Sequence, residues 1–291
     1  HLINGFHIQK KKPVLDELRT LEAFKEVIEI RKRELSEASS TRDKSHSKQF
    51  FEYLEKNNLE DLLLKNLTKL HIIKFLDARK ADGVGNRTRN NALNWVRSIL
   101  SVLVDRGYIE NNVAKGISNL KEIEALSIAF TKEDSNRLKE ILKKENYVVY
   151  QFCMIMYLCF IRPKELRSLK VEHIKLEEKQ TKIFIPSTIS KSKKNRYVVV
   201  PTKLKPILEE LVKDKKPQDL LFKRYGKMYP KNYFNQEFKK VVKKYEFNQQ
   251  YYLYCWKHTG VTEAMNNGAK LTFIQMQCGH SSIEDTALYV K

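Results

Sequence analysis

The chain is poor in cysteine, glycine and proline: its 291 residues include four cysteines, nine glycines and seven prolines. Cys153, Cys159, Cys255 and Cys278 form no C-x-x-C pair, and none stands at finger spacing from a histidine. A disulfide-stapled secreted module is therefore excluded, and free thiols fit a reducing cytoplasm. Cys278 lies two residues from His280, but no second close pair completes a ligand set, so no metal is expected. So few glycines exclude a collagen repeat. Mean hydropathy is −0.53, and no apolar run approaches the roughly 20 residues a membrane span needs, which excludes a membrane protein. Acidic residues are also scarce: 35 Asp and Glu against 55 Lys and Arg leave a net charge of +20.

What remains is ample for packing. Hydrophobic residues make up 42% of the chain, enough to bury real cores, and the length suits two domains. Residues 1–19 read as a basic lead-in, with Lys10, Lys11 and Lys12 before Pro13. Residues 20–117 read as four helices without a strand pattern. The first covers 20–36. A Ser/Thr-rich break at Ser39, Ser40 and Thr41 precedes the second, over 43–56. Thr68 is the expected N-cap of the third. The fourth runs over 86–105, with Gly107 as its stop. Residues 118–130 form a linker, and 131–291 a second domain. There, Thr131 is the expected cap of a helix, and 147–160 a buried central helix. Two β-rich segments, 182–186 and 197–201, flank a basic turn at 190–196. Helices resume over 203–213, 230–245, 256–267, 271–277 and 282–290. The fold class is mainly α, with a small antiparallel sheet in the second domain.

Basic residues occur in both halves, among them Arg87, Arg89, Lys193, Lys194 and Arg196, interleaved with tyrosines. Taken singly, most are solvated helix faces. Together they repel one another in a compact fold, and binding a polyanion relieves that. Duplex DNA is the preferred partner, with an affinity that falls steeply with salt.

Four strings follow one another in the second half: Phe160-Ile161-Arg162-Pro163-Lys164-Glu165-Leu166; Lys191-Ser192-Lys193-Lys194-Asn195-Arg196 leading to Val200-Pro201; Tyr254-Cys255-Trp256-Lys257-His258-Thr259-Gly260; and Cys278-Gly279-His280 leading to Asp285-Thr286-Ala287-Leu288-Tyr289. Each is weak alone. In this order they resemble the tyrosine recombinase (phage integrase) family, most specifically in the Tyr nine residues after Gly-His.

The resemblance implies a helical, SAM-like core-binding domain over 20–117 and a mixed α/β catalytic domain beyond it, together clamping duplex DNA. It implies catalytic roles for Arg162, Lys191, Lys257, His258, His280 and Tyr289. Tyr289 matches the nucleophile. Lys191 matches the hairpin lysine, with Lys193 and Lys194 as rivals. Tyr254 and Lys257 depart from the family pattern, standing where a His and the second Arg are usual; Tyr254 is placed with the DNA-binding residues. The implied reaction uses no cofactor, because a phosphotyrosyl bond conserves the energy of the phosphodiester. The implied assembly is a homotetramer on two duplex attachment sites, with a DNA-bending accessory protein as a further partner. The implied setting is the bacterial cytoplasm, at the nucleoid, in integration and excision of a mobile element. A binding-only protein of the same fold and a type IB topoisomerase-like enzyme are the alternatives. Because the chain opens at His1 and stops two residues after Tyr289, an arm-binding segment and a C-terminal helix are expected to be missing.

Overall fold

Apolar residues at Ala92, Leu93, Trp95, Val96, Ile99, Leu100 and Leu103 recur at helical spacing, so one face of this segment must be buried. The computed structural model describes residues 17–35, 37–122 and 128–287, and it buries all seven in a helix over Asn86–Asp105. The chain divides into two compact units between Ala125 and Leu126. Each has its own apolar core.

The first unit contains α1 (Thr20–Lys32), α2 (Glu37–Lys56), α3 (Lys69–Ala81) and α4 (Asn86–Asp105). Its centre is aromatic: Phe24 stacks on Phe50 at 4.9 Å between centroids, and Phe75 meets Phe50 edge-on at 5.0 Å. Gly107, at φ +73°, ends α4 in the left-handed region. The Tyr108 amide then reaches back to the Leu103 carbonyl at 2.9 Å, and the Gly107 amide to Val104 at 2.9 Å, a Schellman stop. The polar face of α4 is engaged by the chain that follows it. Asn90 donates to the Leu120 carbonyl (2.8 Å) and accepts the Leu120 amide (2.9 Å), and Asn86 donates to the Lys121 carbonyl (2.8 Å).

Two boundaries here differ from expectation. The first helix stops at Lys32, and the Ser39–Thr41 stretch lies inside α2 rather than breaking it. Helix propensity costs only a few tenths of a kcal/mol for each such residue. That is too little to break the helix, which goes on to bury Asp43 against Arg31 of α1 at 3.2 Å.

In the second unit Thr131 caps α5 (Lys132–Glu145), its hydroxyl accepting the Asp134 amide at 3.0 Å. Next comes α6 (Tyr147–Cys159), apolar on nearly all sides and buried. It ends at Phe160 in the left-handed region (φ +57°), and α7 (Pro163–Arg167) starts three residues later. Strands β1 (Ile174–Lys175), β2 (Lys182–Ile185) and β3 (Arg196–Val199) form an antiparallel sheet in that order, with Ile183 opposite Val198. The helices α8 (Lys205–Val212), α9 (Tyr233–Lys244), α10 (Cys255–Asn266), α11 (Leu271–Cys278) and α12 (Glu284–Ala287) complete the unit. A hairpin of β4 (Lys223–Arg224) and β5 (Lys227–Met228) precedes α9. Strand β1 and this hairpin, at two residues per strand, are too short to leave an alternating pattern in the sequence.

Gly260 fixes the packing of α10 on α6. A Cβ there would meet the Tyr157 carbonyl, with its carbon at 2.8 Å, so the helices approach to backbone contact. Among the described residues, no helix is long and apolar enough to cross a membrane.

Candidate active site

Arg162 is placed by the residues around it. Proline at 163 holds its predecessor extended, and Arg162 has φ −73° and ψ 145° as the N-cap of α7. Three residues on, one turn of that helix brings Glu165 back beneath it. Glu165 is 1% exposed. Its carboxylate accepts Arg196 Nη2 at 2.6 Å, Arg162 Nη1 at 3.4 Å and the backbone amide of Lys191 at 3.1 Å. One buried anion thus gathers α7, the basic hairpin and β3. Burial pushes the Glu165 pKa up, but the bonds and charges of Arg196, the Lys191 amide and Arg162 outweigh it, and the net shift is downward. Glu165 is therefore ionised at neutral pH.

Arg162 also donates from Nη1 to the Cys278 carbonyl at 2.8 Å, which ties it to the end of α11. Gly279 follows at φ +61°. A Cβ there would lie 2.9 Å from Cζ of Arg196, so the backbone rests on that guanidinium. Next in the chain is His280, whose Nδ1 lies 2.8 Å from the Thr286 hydroxyl.

The third string enters along α10, with Tyr254 as its N-cap. Lys257 is fully buried at 0% exposure, and its Nζ has no hydrogen-bond partner. Burial lowers its pKa from 10.5 to about 8; Arg162 and Arg196 push the same way, against Cys278 and Glu165. Three cations (Arg162, Arg196, Lys257) therefore surround one carboxylate, leaving two positive charges unanswered in a desolvated place. Such a site is built to receive an anion. His258 is buried beside Lys257, and its pKa falls to about 4, first through burial and then through that charge. It is a neutral imidazole at pH 7, and so able to accept a proton. Its ring meets Tyr254 edge-on at 4.9 Å. The half-buried Tyr254 hydroxyl is pushed up by burial, with Arg162 pulling against it.

The structure thus brings Arg162, Lys257 and His258 together with the root of the hairpin, and connects the segment of His280 to them. Lys191, Lys193 and Lys194 all have exposed side chains; of the three, Lys191 is the one whose backbone is bonded to Glu165. Tyr289 lies outside the described residues.

Two of the residues expected at the DNA are engaged within the fold. Arg196 is spent on Glu165, its side chain 8% exposed, so it is part of the site's frame rather than a surface contact. Arg89 is buried and donates to the Ser118 carbonyl at 3.1 Å, because α4 turns that face toward its own chain. Arg87 keeps an exposed side chain and pairs with Glu122 at 2.9 Å. Sequence reasoning missed the central place of Glu165, for which the Arg-x-x-Glu spacing was the available signal. Gln277, discussed below, gave none.

Among the described residues no group of three or more His, Cys, Asp or Glu is arranged to hold a metal.

Comparison with known proteins gives the family. The model of the phage integrase family matches residues 129–291. A tyrosine recombinase of Pseudothermotoga lettingae is 26% identical over 251 residues, covering 84% of this chain and 83% of that one. The tyrosine recombinase XerC of Thermodesulfovibrio yellowstonii is 25% identical over 266 residues, with coverage of 84% and 83%. Among solved structures, the Tn1549 transposon integrase in complex with circular intermediate DNA superposes with a TM-score of 0.76 at 15% identity, over 94% of this chain and 95% of that one. A lambda integrase dimer bound to a COC' core site gives 0.76 at 11% identity, over 95% and 78%.

Proposed function

Because the chain belongs to the phage integrase family, we propose that it cuts and rejoins duplex DNA at specific sites through a covalent bond to Tyr289. The observation that carries this reading is the buried Lys257 ammonium, without a hydrogen-bond partner, beside Arg162 and Arg196, with one carboxylate to answer the three charges. A phosphodiester is the anion that this charge excess suits.

The chemistry follows from the residue types. Attack on phosphorus builds negative charge on the non-bridging oxygens, and fixed donors must meet it. Arg162 offers a planar fork held by Glu165 and the Cys278 carbonyl. Lys257 offers a point charge whose ammonium lies over the Tyr254 ring at 5.7 Å and has no hydrogen-bond partner to give up. His280, steadied by Thr286, stands in the same segment as the nucleophile. The Tyr289 hydroxyl gives its proton to a base, the neutral imidazole of His258 in this reading, and attacks phosphorus; its bond to phosphorus forms as the bond to the 5′-oxygen breaks. A hairpin lysine, Lys191 in this reading, delivers a proton to that oxygen. The 5′-hydroxyl of a second strand then reverses the step, so bond energy is retained and no nucleotide is consumed.

We place the first unit on the DNA as well, and four protomers on two duplexes. Integration and excision of a mobile element is the role we assign. The likeness to a transposon integrase solved with circular intermediate DNA supports that choice.

The test is a suicide substrate. Duplexes with a randomised core and a nick beside it are incubated with the chain, and the covalently captured DNA is sequenced. Capture of one sequence class, absent in Tyr289→Phe, supports the reading. No adduct with any sequence would leave a binding-only protein. Relaxation of supercoils without joining of two selected sites would favour a topoisomerase.

A further inference from the structure

Gln277 is 2% exposed, near the end of α11. A buried primary amide needs partners for its oxygen and its NH2. Gln277 finds both on one residue of β3: its Oε1 accepts the Val199 amide at 2.7 Å, and its Nε2 donates to the Val199 carbonyl at 2.9 Å. The sheet order makes β3 an edge strand. Val200 turns its amide inward, to the Thr181 carbonyl at 3.1 Å, so Val199 turns both of its groups outward. The side chain of Gln277 therefore takes the place of a neighbouring strand at this one residue.

What it joins matters more than the bonds themselves. β3 is one leg of the hairpin that carries Lys191, Lys193 and Lys194. α11 runs directly into Gly279 and His280. A second tie lies at the other end of the strand, where Gly279 rests on Arg196. The hairpin is thus held to the His280 segment at both ends of β3.

Resting on the recombinase reading, we infer that Gln277 is a positioning residue, which sets the hairpin along α11 and so places its lysine against the departing 5′-oxygen. An apolar side chain of the same size would fill the space, but it would leave the edge of β3 free to shift against the helix.

The test separates proton delivery from the rest of the reaction. The nicked duplex selected above is prepared with the usual 5′-oxygen and with sulfur bridging at that position. A thiolate leaves without a proton, so sulfur removes the need for the acid. Gln277→Met keeps the length and deletes both bonds. It is expected to cleave the oxygen substrate at least about tenfold more slowly than wild type, and the sulfur substrate within about threefold. Equal slowing on both substrates, or none on either, overturns the inference. Gln277→Glu keeps the acceptor for the Val199 amide and should fall between the two; it carries the same comparison if the Met variant melts out. Lys191→Ala run alongside distinguishes failures. If sulfur rescues Gln277→Met but not Lys191→Ala, the acid is Lys193 or Lys194, and the positioning role stands. If wild type forms no adduct at all, the recombinase reading falls, and this inference with it.

Discussion

Replacing Lys257 with methionine should make the protein more stable and leave it inactive. Lys257 is fully buried without a hydrogen-bond partner, and burial holds its pKa near 8 instead of 10.5. At about 1.4 kcal/mol per pH unit, keeping it charged at pH 7 costs roughly 3 kcal/mol of folding free energy. Methionine has a similar length and no charge, and the swap should lose less than about 1.5 kcal/mol in packing. The second unit should therefore gain about 2–3 kcal/mol at pH 7. The sign of the pH dependence is fixed. Between pH 8 and 10.5 the unfolded chain binds the proton more readily than the folded one, so wild-type stability rises through that window. The advantage of Lys257→Met should accordingly be full below pH 8 and shrink above it. The chain has two tryptophans, Trp95 in the first unit and Trp256 in the second. In a Trp95→Phe background, Trp256 fluorescence during urea unfolding reports the second unit alone. Covalent capture of the nicked duplex is measured on the same protein, and should be lost. A variant less stable than wild type at pH 7, or a stability gap that does not change between pH 7 and 10, would refute the reasoning.

Gly260→Ala should push α10 off α6, since its Cβ meets the Tyr157 backbone; a loss of about 3 kcal/mol, the upper end for overpacking, is expected in the same urea assay, and a loss below about 1 kcal/mol would mean that the helices can part freely. Glu165→Gln removes the shared counter-charge of Arg162 and Arg196 and should cost about 3–5 kcal/mol, with capture of the nicked duplex also reduced; an unchanged melting point would show that the arginines need no anion there. Binding of duplex DNA should weaken by about a thousandfold or more between about 50 and about 200 mM salt, measured by fluorescence anisotropy, and a flat profile would argue against a phosphate-dominated interface.

Much of the fold was legible because its signals were local. The α4 stripe, the Gly107 stop and the Thr131 cap each lie within a few residues of what they determine. The Ser39–Thr41 stretch misled because such residues disfavour a helix by only a few tenths of a kcal/mol each, too little to break one that runs over Glu37–Lys56. The site was legible as a list but not as an arrangement. Arg162 and Glu165 are neighbours in sequence, so their pairing is a one-turn effect. Arg196 meets Glu165 across 31 residues, and nothing in a run of basic residues says which one turns inward. The same holds for Arg89 on α4. Gln277 was invisible because an amide on a helix face has no signature until the strand edge it serves is known. The departure at Lys257 drew notice in the sequence; its burial without a hydrogen-bond partner appears only in three dimensions.

That burial also has a consequence for amine chemistry. With burial holding its pKa near 8, far more of Lys257 is the neutral amine at pH 7.5 than of an ordinary lysine, which has about a thousandth in that form. Yet full burial withholds it from any acylating reagent while the second unit stays closed. Lys257 is therefore neutral to any extent only where no reagent reaches it; once α10 opens, water returns and with it the ordinary lysine pKa. Its acylation, followed by peptide mass, should therefore scale with the fraction of molecules in which α10 is open, making this one side chain a gauge of local opening.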